Sequence, residues 1–108
     1  MTRDEIISIV QTFISRLRPE VDVLRVYAFG SMVRGDAEPG SDLDLLLEVP
    51  QENPVVKHRI REIAWELSLD VGMVISVIVV GEHELHQGPL SITGLARDIE
   101  NEGIEIAA

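Results

Sequence analysis

Two short clusters in this chain have residue types that could do chemistry together. Gly30-Ser31 is suited to a turn that holds a phosphate, and after ten intervening residues Asp42 and Asp44 provide two carboxylates for a cation. The Gly- and Pro-containing stretch between them, residues 32–41, allows the chain to reverse and to bring the carboxylates beside the turn. The combination indicates nucleotide chemistry.

The first cluster follows a strand-forming run at residues 23–29. Gly30 has no Cβ, so the backbone can approach a ligand there. If residues 31–35 form a helical turn, its free N–H groups and the positive end of its dipole face a phosphate. Ser31 adds a hydroxyl, and Arg34 adds a positive charge. The sequence therefore predicts a phosphate-binding turn at this point.

The two carboxylates belong to an alternating segment, residues 41–48, which is typical of a strand. Asp42 and Asp44 are predicted on one face. The other face is apolar and carries Leu43, Leu45 and Leu47. Side chains two apart on a strand are roughly 6.5 to 7 Å apart at Cα, so both carboxylates can reach one hard cation or a close pair. Mg²⁺ is the expected ion, because it binds through one or two carboxylates together with substrate phosphates.

Each cluster alone has an ordinary structural explanation. Gly-Ser is then a turn, and Asp-Leu-Asp is the exposed start of a strand. Asp is disfavoured in strands, however, so two of them alternating with leucines at the head of an apolar run need a further reason. The joint occurrence of an anion site and metal carboxylates favours the functional interpretation.

Three motifs carry a family resemblance: Gly30-Ser31, Arg34-Gly35 and Ser41-Asp42-Leu43-Asp44-Leu45. They resemble the signature of the nucleotidyltransferase superfamily with a polymerase-β-like fold. Within it, the chain is similar to the minimal nucleotidyltransferases of prokaryotes, which are often paired with a HEPN-domain protein in toxin–antitoxin modules. The resemblance implies an α/β (α+β) fold, with a mixed β-sheet and flanking helices.

The resemblance also implies an activity. A nucleoside monophosphate, expected to be AMP, would move from a nucleoside triphosphate such as ATP to a partner, for example a HEPN-type toxin, in a Mg²⁺-dependent reaction. Asp42 and Asp44 would be the catalytic metal ligands. The nucleotide phosphates would be held by Gly30, Ser31, Arg34 and Ser41.

One position departs from the family pattern. Enzymes of the family usually carry a third carboxylate on a later strand, and the candidate strand here, residues 73–80, contains no acid. By the resemblance, Ser76 stands where that carboxylate is expected, and a shift of one residue would select Ile75 or Val77. Serine is a weak cation ligand and cannot act as a carboxylate base, so an attacking hydroxyl would lack its usual activation.

The sequence alone places no other acid in this position, although Asp36 and Glu38 could fold back towards the pair. Glu48 lies on the face of the acid pair by alternation, but roughly 13 Å from Asp42, which is too far for a shared metal. Asp36 and Glu38 in the loop, and Asp70 before the third strand, are expected at the surface, as Asp and Glu residues usually are.

The remaining pattern predicts one domain over residues 1–108. A capping box at Thr2-Arg3-Asp4-Glu5 starts a first helix that runs to about Arg18, and a second helix spans about residues 54–69 with Trp65 beside its apolar stripe. The predicted stripes are Ile6, Ile9, Val10, Phe13, Ile14 and Leu17 in the first helix, and Val56, Ile60, Ile63, Ala64 and Leu67 in the second. Later elements are a short helix between Gly81 and Gly88, a last helix at residues 90–102 and an extension at residues 104–106.

The amino-acid composition limits the kinds of partner that the chain is expected to bind. Nineteen acids against nine Lys and Arg give a net charge of −10, which repels a nucleic-acid backbone, so direct polynucleotide binding is disfavoured and a small triphosphate or a basic protein is favoured. Cysteine is absent, and there is no leader and no apolar run approaching about 18 residues, so we expect a cytoplasmic protein that does not enter a membrane. A homo-oligomer, formed through the Val/Ile-rich strand edge or the last helix, is an open alternative.

The histidines are more typical of exposed residues than of a site. His83 and His86 are three apart but have no further metal ligands nearby in the sequence. His58 belongs to a basic group with Lys57, Arg59 and Arg61, for which a solvated face and a phosphate contact are the alternatives. Two functions therefore remain: a minimal nucleotidyltransferase, which the intact acid pair favours, and a non-catalytic module that binds a basic partner, which Ser76 favours.

Overall fold

Helices pack on both faces of a four-stranded mixed sheet in the described part of the chain. The computed structural model of the protein describes residues 1–82, 84 and 94–107. In chain order the elements are α1 (Arg3–Leu17), β1 (Arg25–Phe29), α2 (Ser31–Arg34), β2 (Leu43–Val49), α3 (Pro54–Val71), β3 (Ile75–Gly81), α4 (Gly94–Glu102) and β4 (Ile104–Ile106). The predicted fold class is confirmed. The predicted short helix after Gly81 and residues 90–93 of the last helix lie outside the described residues.

The sheet has the strand order β3-β2-β1-β4. β1 is antiparallel to β2 and to β4, whereas β2 and β3 are parallel. Parallel neighbours need a crossover connection, and α3 supplies it. β2 is therefore a central strand, and β3 lies at one edge.

α1 begins at the predicted capping box and buries one stripe. The Glu5 N–H donates to Thr2 Oγ1 over 3.1 Å, and the Thr2 N–H donates to Glu5 Oε1 over 3.2 Å. Hydrogen bonds from the backbone and hydroxyl of Thr2 to the carboxylate lower the pKa of Glu5. The buried residues are Ile6, Val10, Phe13, Ile14 and Leu17, and Ile9 is half-buried at their margin.

α3 runs two residues further than predicted. Asn53 caps its start by accepting the Val56 N–H over 2.9 Å, and the helix ends only at Gly72, whose φ of +72° allows a left-handed turn. Its buried residues include the predicted Ile60, Ile63, Ala64 and Leu67, whereas Val56 is half-buried. Trp65 lies outside this buried stripe, as predicted, and its side chain is exposed. No helix in the described residues is long and apolar enough to cross a membrane.

A buried serine joins the end of α3 to the start of β3. The Ser68 hydroxyl donates to the Ala64 carbonyl oxygen over 2.8 Å, and Ser68 Oγ also accepts the Ile75 N–H over 3.0 Å. Both bonds satisfy polar groups whose burial would otherwise cost free energy. The first residue of β3 is therefore held against the helix.

β2 is covered on both faces, as a central strand of this kind requires. The face towards α1 and α3 carries Leu43, Leu45, Leu47 and Val49. Leu46 points the other way and packs with Val80 and with Ile99 of α4. Glu48 shares the Leu46 face and is only 1% exposed, with Oε2 3.4 Å from Arg25 Nη1. This acid is thus an internal ion-paired residue.

Both strands that flank the turn begin two residues later than predicted, β1 at Arg25 and β2 at Leu43. In β2 the reason is that the Ser41 N–H donates to the Glu38 carbonyl oxygen over 3.0 Å and so belongs to the preceding turn. Asp42 therefore stands just before the strand.

Candidate nucleotide site

The turn after β1 requires glycine for two reasons. Gly30 has φ +81° and ψ −165°, a backbone conformation that residues with a Cβ rarely adopt. It also packs against the acid pair, since a Cβ on Gly30 would overlap Asp44 Oδ2. The turn and one carboxylate of the pair are therefore direct neighbours.

α2 is a single helical turn that starts directly after Gly30. The N–H groups of Val33 and Arg34 donate to the Gly30 carbonyl oxygen over 3.1 and 3.0 Å. In the described part of the chain, the N–H groups of Ser31 and Met32 donate to no acceptor. The predicted helical turn is present, and two backbone donors remain for a ligand at its start.

The two carboxylates interact through their charges. Asp44 is half-buried on β2, and Asp42 is exposed directly before the strand. Burial raises the pKa of Asp44, and the negative charge of Asp42 raises it further, whereas the positive charge of Arg34 acts in the opposite direction. A pair of carboxylates that repel each other is relieved by a bound cation.

β3 places a serine beside Asp44. In the parallel register Asp44 pairs with Ser76, and the flanking Ile75 and Val77 pair with leucines. Neighbouring strands are about 4.8 Å apart, and residues alternate between the two faces. Ser76 is therefore the β3 residue beside Asp44 on its face, in preference to Ile75 or Val77. A hydroxyl therefore lies beside Asp44, and the absence of a third carboxylate from the catalytic set stays a prediction of the resemblance.

Arg34, at the end of α2, is held by two carboxylates. Its Nε lies 3.3 Å from Asp36 Oδ2, and its Nη1 lies 3.2 Å from Glu102 Oε2. The hydrogen bond to Asp36 and then that to Glu102 raise the pKa of Arg34. Glu102 belongs to α4, 68 residues along the chain, so this contact ties the last helix to the turn. The sequence indicated Arg34 but not Glu102, because no local pattern shows which distant helix end will reach the site.

Ser41 forms part of the loop before the acid pair. Its Oγ accepts the Glu38 N–H over 3.0 Å, which closes a turn around Gly40, where φ is +88°. The hydroxyl thereby helps to position Asp42. A phosphate contact of Ser41 stays a prediction.

Most other charged residues that the sequence singled out are engaged in ion pairs. Asp70 lies at the surface, 2.8 Å from Arg16, as a surface role requires. In the basic group at the start of α3, Lys57 is ion-paired with Glu52 at 3.1 Å and Arg59 with Glu20 at 2.8 Å, and His58 Nε2 lies 3.4 Å from Glu62 Oε1. These contacts favour the solvated face over a phosphate site. His83 and His86 lie outside the described residues.

The sequence of the chain matches a known family. The sequence pattern of the family described as "Nucleotidyltransferase domain" matches residues 7–106 of the 108 in this chain. The chain belongs to this family. The resemblance drawn from the three motifs is thus confirmed, and the Gly30 turn and the acid pair are parts of a nucleotidyltransferase domain.

Relatives of this nucleotidyltransferase-family chain are found among sequences and among solved structures. A candidate protein adenylyltransferase from Methanocaldococcus jannaschii is 35% identical to this chain, in a match that covers 94% of this chain and 99% of that protein. A toxin–antitoxin crystal structure with AMP-PNP has a TM-score of 0.63 at 17% identity, covering 94% of this chain and 73% of that one. A structure of the tri-AMPylated HEPN toxin of Shewanella oneidensis in complex with an MNT antitoxin has a TM-score of 0.57 at 14% identity, covering 99% and 73%. At these identities the solved structures show a common fold.

The donor set of the site suits a divalent cation that arrives with a substrate. Within the described residues, no group of three or more His, Cys, Asp or Glu side chains is placed to hold a metal alone. Asp42 and Asp44 supply two carboxylates, and Mg²⁺ at nucleotide sites is bound through one or two carboxylates plus substrate phosphates. The residues present therefore fit a Mg²⁺–nucleotide complex.

Proposed function

We propose that this nucleotidyltransferase-family chain transfers a nucleoside monophosphate, AMP from ATP, to a partner protein in a Mg²⁺-dependent reaction. The observation that carries the proposal is the contact of Gly30 with Asp44, because it puts the free N–H groups of the turn beside the acid pair. A triphosphate and its cation would meet there. The relative from M. jannaschii, a candidate protein adenylyltransferase, supports the same reaction.

Each site residue has a task in this proposal. Asp42 and Asp44 hold the cation-bound triphosphate, and the N–H groups of Ser31 and Met32 bind its phosphate oxygens. Arg34 adds a positive charge to the same side of the site. When bound, Mg²⁺ neutralises charge on the phosphates and so favours attack at the α-phosphorus.

The transfer forms a bond between an acceptor hydroxyl oxygen and the α-phosphorus, and it breaks the bond from that phosphorus to the bridging oxygen, so that pyrophosphate leaves. The acceptor hydroxyl loses its proton. Ser76 cannot take this proton as a carboxylate would, so the native protein transfers slowly unless its partner completes the site.

The acceptor in this proposal is a basic protein, of which a HEPN-type toxin is the leading candidate. The net charge of −10 favours a cationic partner. The similar fold in a complex of an MNT antitoxin with an AMPylated HEPN toxin supports the same kind of partner. The proposal places this single domain in the cytoplasm, since a chain without cysteine needs no oxidising compartment.

The serine at position 76 favours a second function, a catalytically degenerate module that neutralises its partner by contact. Such a module keeps the fold and part of the nucleotide site. It predicts tight binding of the partner protein with no nucleotide transfer, whereas the enzyme predicts incorporation of labelled nucleotide.

The test of the acid pair uses Asp42→Asn and Asp44→Asn, which keep the shape of the side chains and remove their charge. Both variants should lose Mg²⁺-dependent ATP binding in calorimetric titrations, and their melting temperatures should stay near the native value because the paired charges repel each other. Asp22→Asn, at an exposed residue on the loop before β1, is the control. Retained ATP binding with a large fall in melting temperature would make the pair structural.

The test of catalysis uses Ser76→Asp, with Ser76→Asn as a control of equal size that supplies no base. General-base assistance is typically worth about 10² to 10⁴-fold, so Ser76→Asp should raise labelled-nucleotide incorporation by that order. No transfer by either protein, together with tight partner binding, would support the non-catalytic module. Rapid transfer by the native protein, at a rate that Ser76→Asp does not change and Asp42→Asn abolishes, would show that another residue supplies the base.

A further inference from the structure

The outer edge of β3 leaves backbone groups free in the middle of the strand. The Leu43 N–H donates to the Val74 carbonyl oxygen over 2.9 Å, so every second residue from Val74 onwards points its backbone groups at β2, and the residues between point outwards. No strand of the described residues pairs with that outer side. Within the described part of the chain, the outward N–H and C=O groups of Val77 and Val79 therefore have no partner.

Side chains close both ends of this edge. At the start, Ser68 Oγ accepts the Ile75 N–H over 3.0 Å. At the other end, Glu84 Oε1 accepts the Gly81 N–H over 3.2 Å, and the Glu84 N–H donates to the Gly81 carbonyl oxygen over 3.1 Å. The strand between them contains neither a charged residue nor a proline, the features by which edge strands usually resist pairing. The open part of the edge is thus suited to a short extended segment.

A continuous groove lies along the same edge, between α3 and the start of β3. Three cavities of about 250, 260 and 350 Å³ follow one another there, and Val74 lines all three. Trp65 lines the first two, and it is 60% exposed. Arg61 lies at one end of this α3–β3 groove and Ser41 at the other. A contiguous apolar surface of this kind marks an interaction site, whereas single exposed apolar residues are ordinary.

The two flanks of α3 differ in charge. Glu62, Glu66 and Asp70 follow one another at a spacing of four residues and so share one flank. That flank faces α1, with which Asp70 is ion-paired. On the groove side, Arg61 is exposed and has no ion pair within the described residues. The other charged residue of the groove lining, Glu38, lies at the opposite end, so the Arg61 end is complementary to a carboxylate.

We infer that the α3–β3 groove binds an extended segment of a partner protein, one with alternating apolar side chains and a carboxylate. The backbone of the segment pairs with Val77 and Val79 by strand addition. Its apolar side chains pack on Trp65, and its carboxylate meets Arg61. The net charge of −10 favours a basic partner at long range, whereas contact inside the groove selects an acid.

The groove adjoins the candidate nucleotide site at two points. Ser76, which lies beside Asp44 on the sheet, lines the first cavity. Ser41, which precedes Asp42 in the chain, lines the third. A bound segment therefore lies beside the acid pair. Its use to present an acceptor hydroxyl rests on the proposed function, whereas the binding of the segment requires no nucleotide.

Selection from random peptides displayed on phage, with the native protein as bait and without nucleotide, tests the groove. The enriched peptides should alternate apolar residues and carry an aspartate or glutamate. Synthetic copies should shift the emission of Trp65, the sole tryptophan, to shorter wavelength as it becomes buried. No enrichment, or a consensus that is basic, overturns the inference.

Variants locate the contact, with calorimetric titration of the synthetic peptide as the measurement. Trp65→Ser should weaken binding by about tenfold or more, as the loss of an aromatic anchor does, whereas Val55→Ser, at an apolar residue that is 78% exposed outside the groove, should not. Arg61→Gln should weaken binding by about threefold and remove the preference for the acidic peptide over its amide copy. Arg97→Gln, at an exposed residue of α4, is its control. Asp42→Asn should bind the peptide normally, so failure of the groove and failure of the proposed metal site are separate results.

N-methylation of the peptide backbone tests strand addition. Only every second residue of an added strand hydrogen bonds to β3, so methyl groups on one alternate set of nitrogens should abolish binding, and methyl groups on the other set should not. The same effect from both sets overturns strand addition. Binding that Trp65→Ser leaves intact overturns the groove as the site. A dimer in sedimentation equilibrium that Trp65→Ser abolishes would show that a second copy of the chain fills the groove instead.

Discussion

Gly30 and Asp44 constrain each other at the scale of single residues. The glycine adopts its backbone conformation where the carboxylate packs on it, so no larger side chain fits without moving the acid. Gly40 offers a matched comparison, since it too has a positive φ but has nothing within 4 Å of where a Cβ would lie. Alanine substitutions at the two positions can therefore distinguish the effect of backbone strain from the effect of contact with Asp44.

Gly30→Ala should therefore abolish ATP binding as well as lower stability, whereas Gly40→Ala should only lower stability. Backbone strain alone should cost Gly40→Ala about 1 kcal/mol of folding free energy, with ATP binding kept. Gly30→Ala carries at least this strain, because positive φ combined with a ψ of −165° is nearly restricted to glycine, and it also displaces Asp44, so Mg²⁺-dependent ATP binding should disappear. Thermal melting and calorimetric titration of both variants measure this. Equal behaviour of the two alanine variants would contradict a special role for Gly30.

Residue spacing predicted that Asp42 and Asp44 act together, but it fixed the β3 residue beside Asp44 only to within one position of Ser76. The contrast between Asp42-Leu43-Asp44 and its apolar neighbours is local, so alternation alone predicts that both carboxylates share a face. Ser76 is different, because its place beside Asp44 depends on a register between strands that are far apart in the chain. A shift of one residue reverses the faces, and no local pattern excludes it.

At the scale of elements, α4 reaches the turn through Glu102. Arg34 is shared between this residue and Asp36, so its positive charge is largely neutralised by carboxylates before any phosphate arrives. The last helix therefore modifies the electrostatics of a site that lies on other elements.

Glu102→Gln should strengthen binding of Mg²⁺–ATP by about threefold, the scale of an exposed ion pair, because Arg34 is then freer to face the phosphates. Glu100→Gln removes the same charge from an exposed position of α4 and is the control. Calorimetric titration gives both affinities. Weaker binding in Glu102→Gln alone would show instead that this glutamate orients Arg34 productively.

The contact between Glu20 and Arg59 ties the loop after α1 to α3 and should make stability depend on pH. Arg59 donates to both carboxylate oxygens of Glu20, at 2.9 and 2.8 Å, and this hydrogen bonding lowers the pKa of Glu20. A lowered pKa in the folded state stabilises the fold above the ordinary glutamate value of 4.5, and the contribution is lost as the pH falls through the folded value. Glu20→Gln should thus lower the melting temperature at neutral pH but not at pH values well below 4.5. An equal difference at both would contradict the assignment.

Elements that carry their own capping residues and apolar periodicity were predictable from the sequence, whereas their contacts with distant elements were not. The capping box at Thr2 and the apolar stripe of α1 follow from local chemistry and appear as predicted. The end of α3 was placed too early, because Gly72 rather than a change of polarity ends that helix. The contact of Glu102 with Arg34 joins residues that are 68 apart in the chain, so only the folded arrangement reveals it.

At the scale of the whole molecule, the net charge of −10 opposes the binding of any polyphosphate. Affinity for ATP must then depend on a cation between the two. Chelation with EDTA should weaken ATP binding by on the order of tenfold or more, and Mg²⁺ should restore it. Calorimetric titration with and without the metal gives the comparison, and equal affinities would remove the cation-bridged site from the proposal.

Ser68 constrains which residue of β3 can lie beside Asp44, although it is buried outside the site itself. It touches neither carboxylate, yet its bond to the Ile75 N–H anchors the start of β3, and a slip of one residue there would present isoleucine or valine to Asp44. A mutation at Ser68 could therefore silence a change made at Ser76, so the two positions are expected to evolve together. Any attempt to rebuild an acid at the edge of this sheet depends on a hydroxyl that is itself out of reach of solvent.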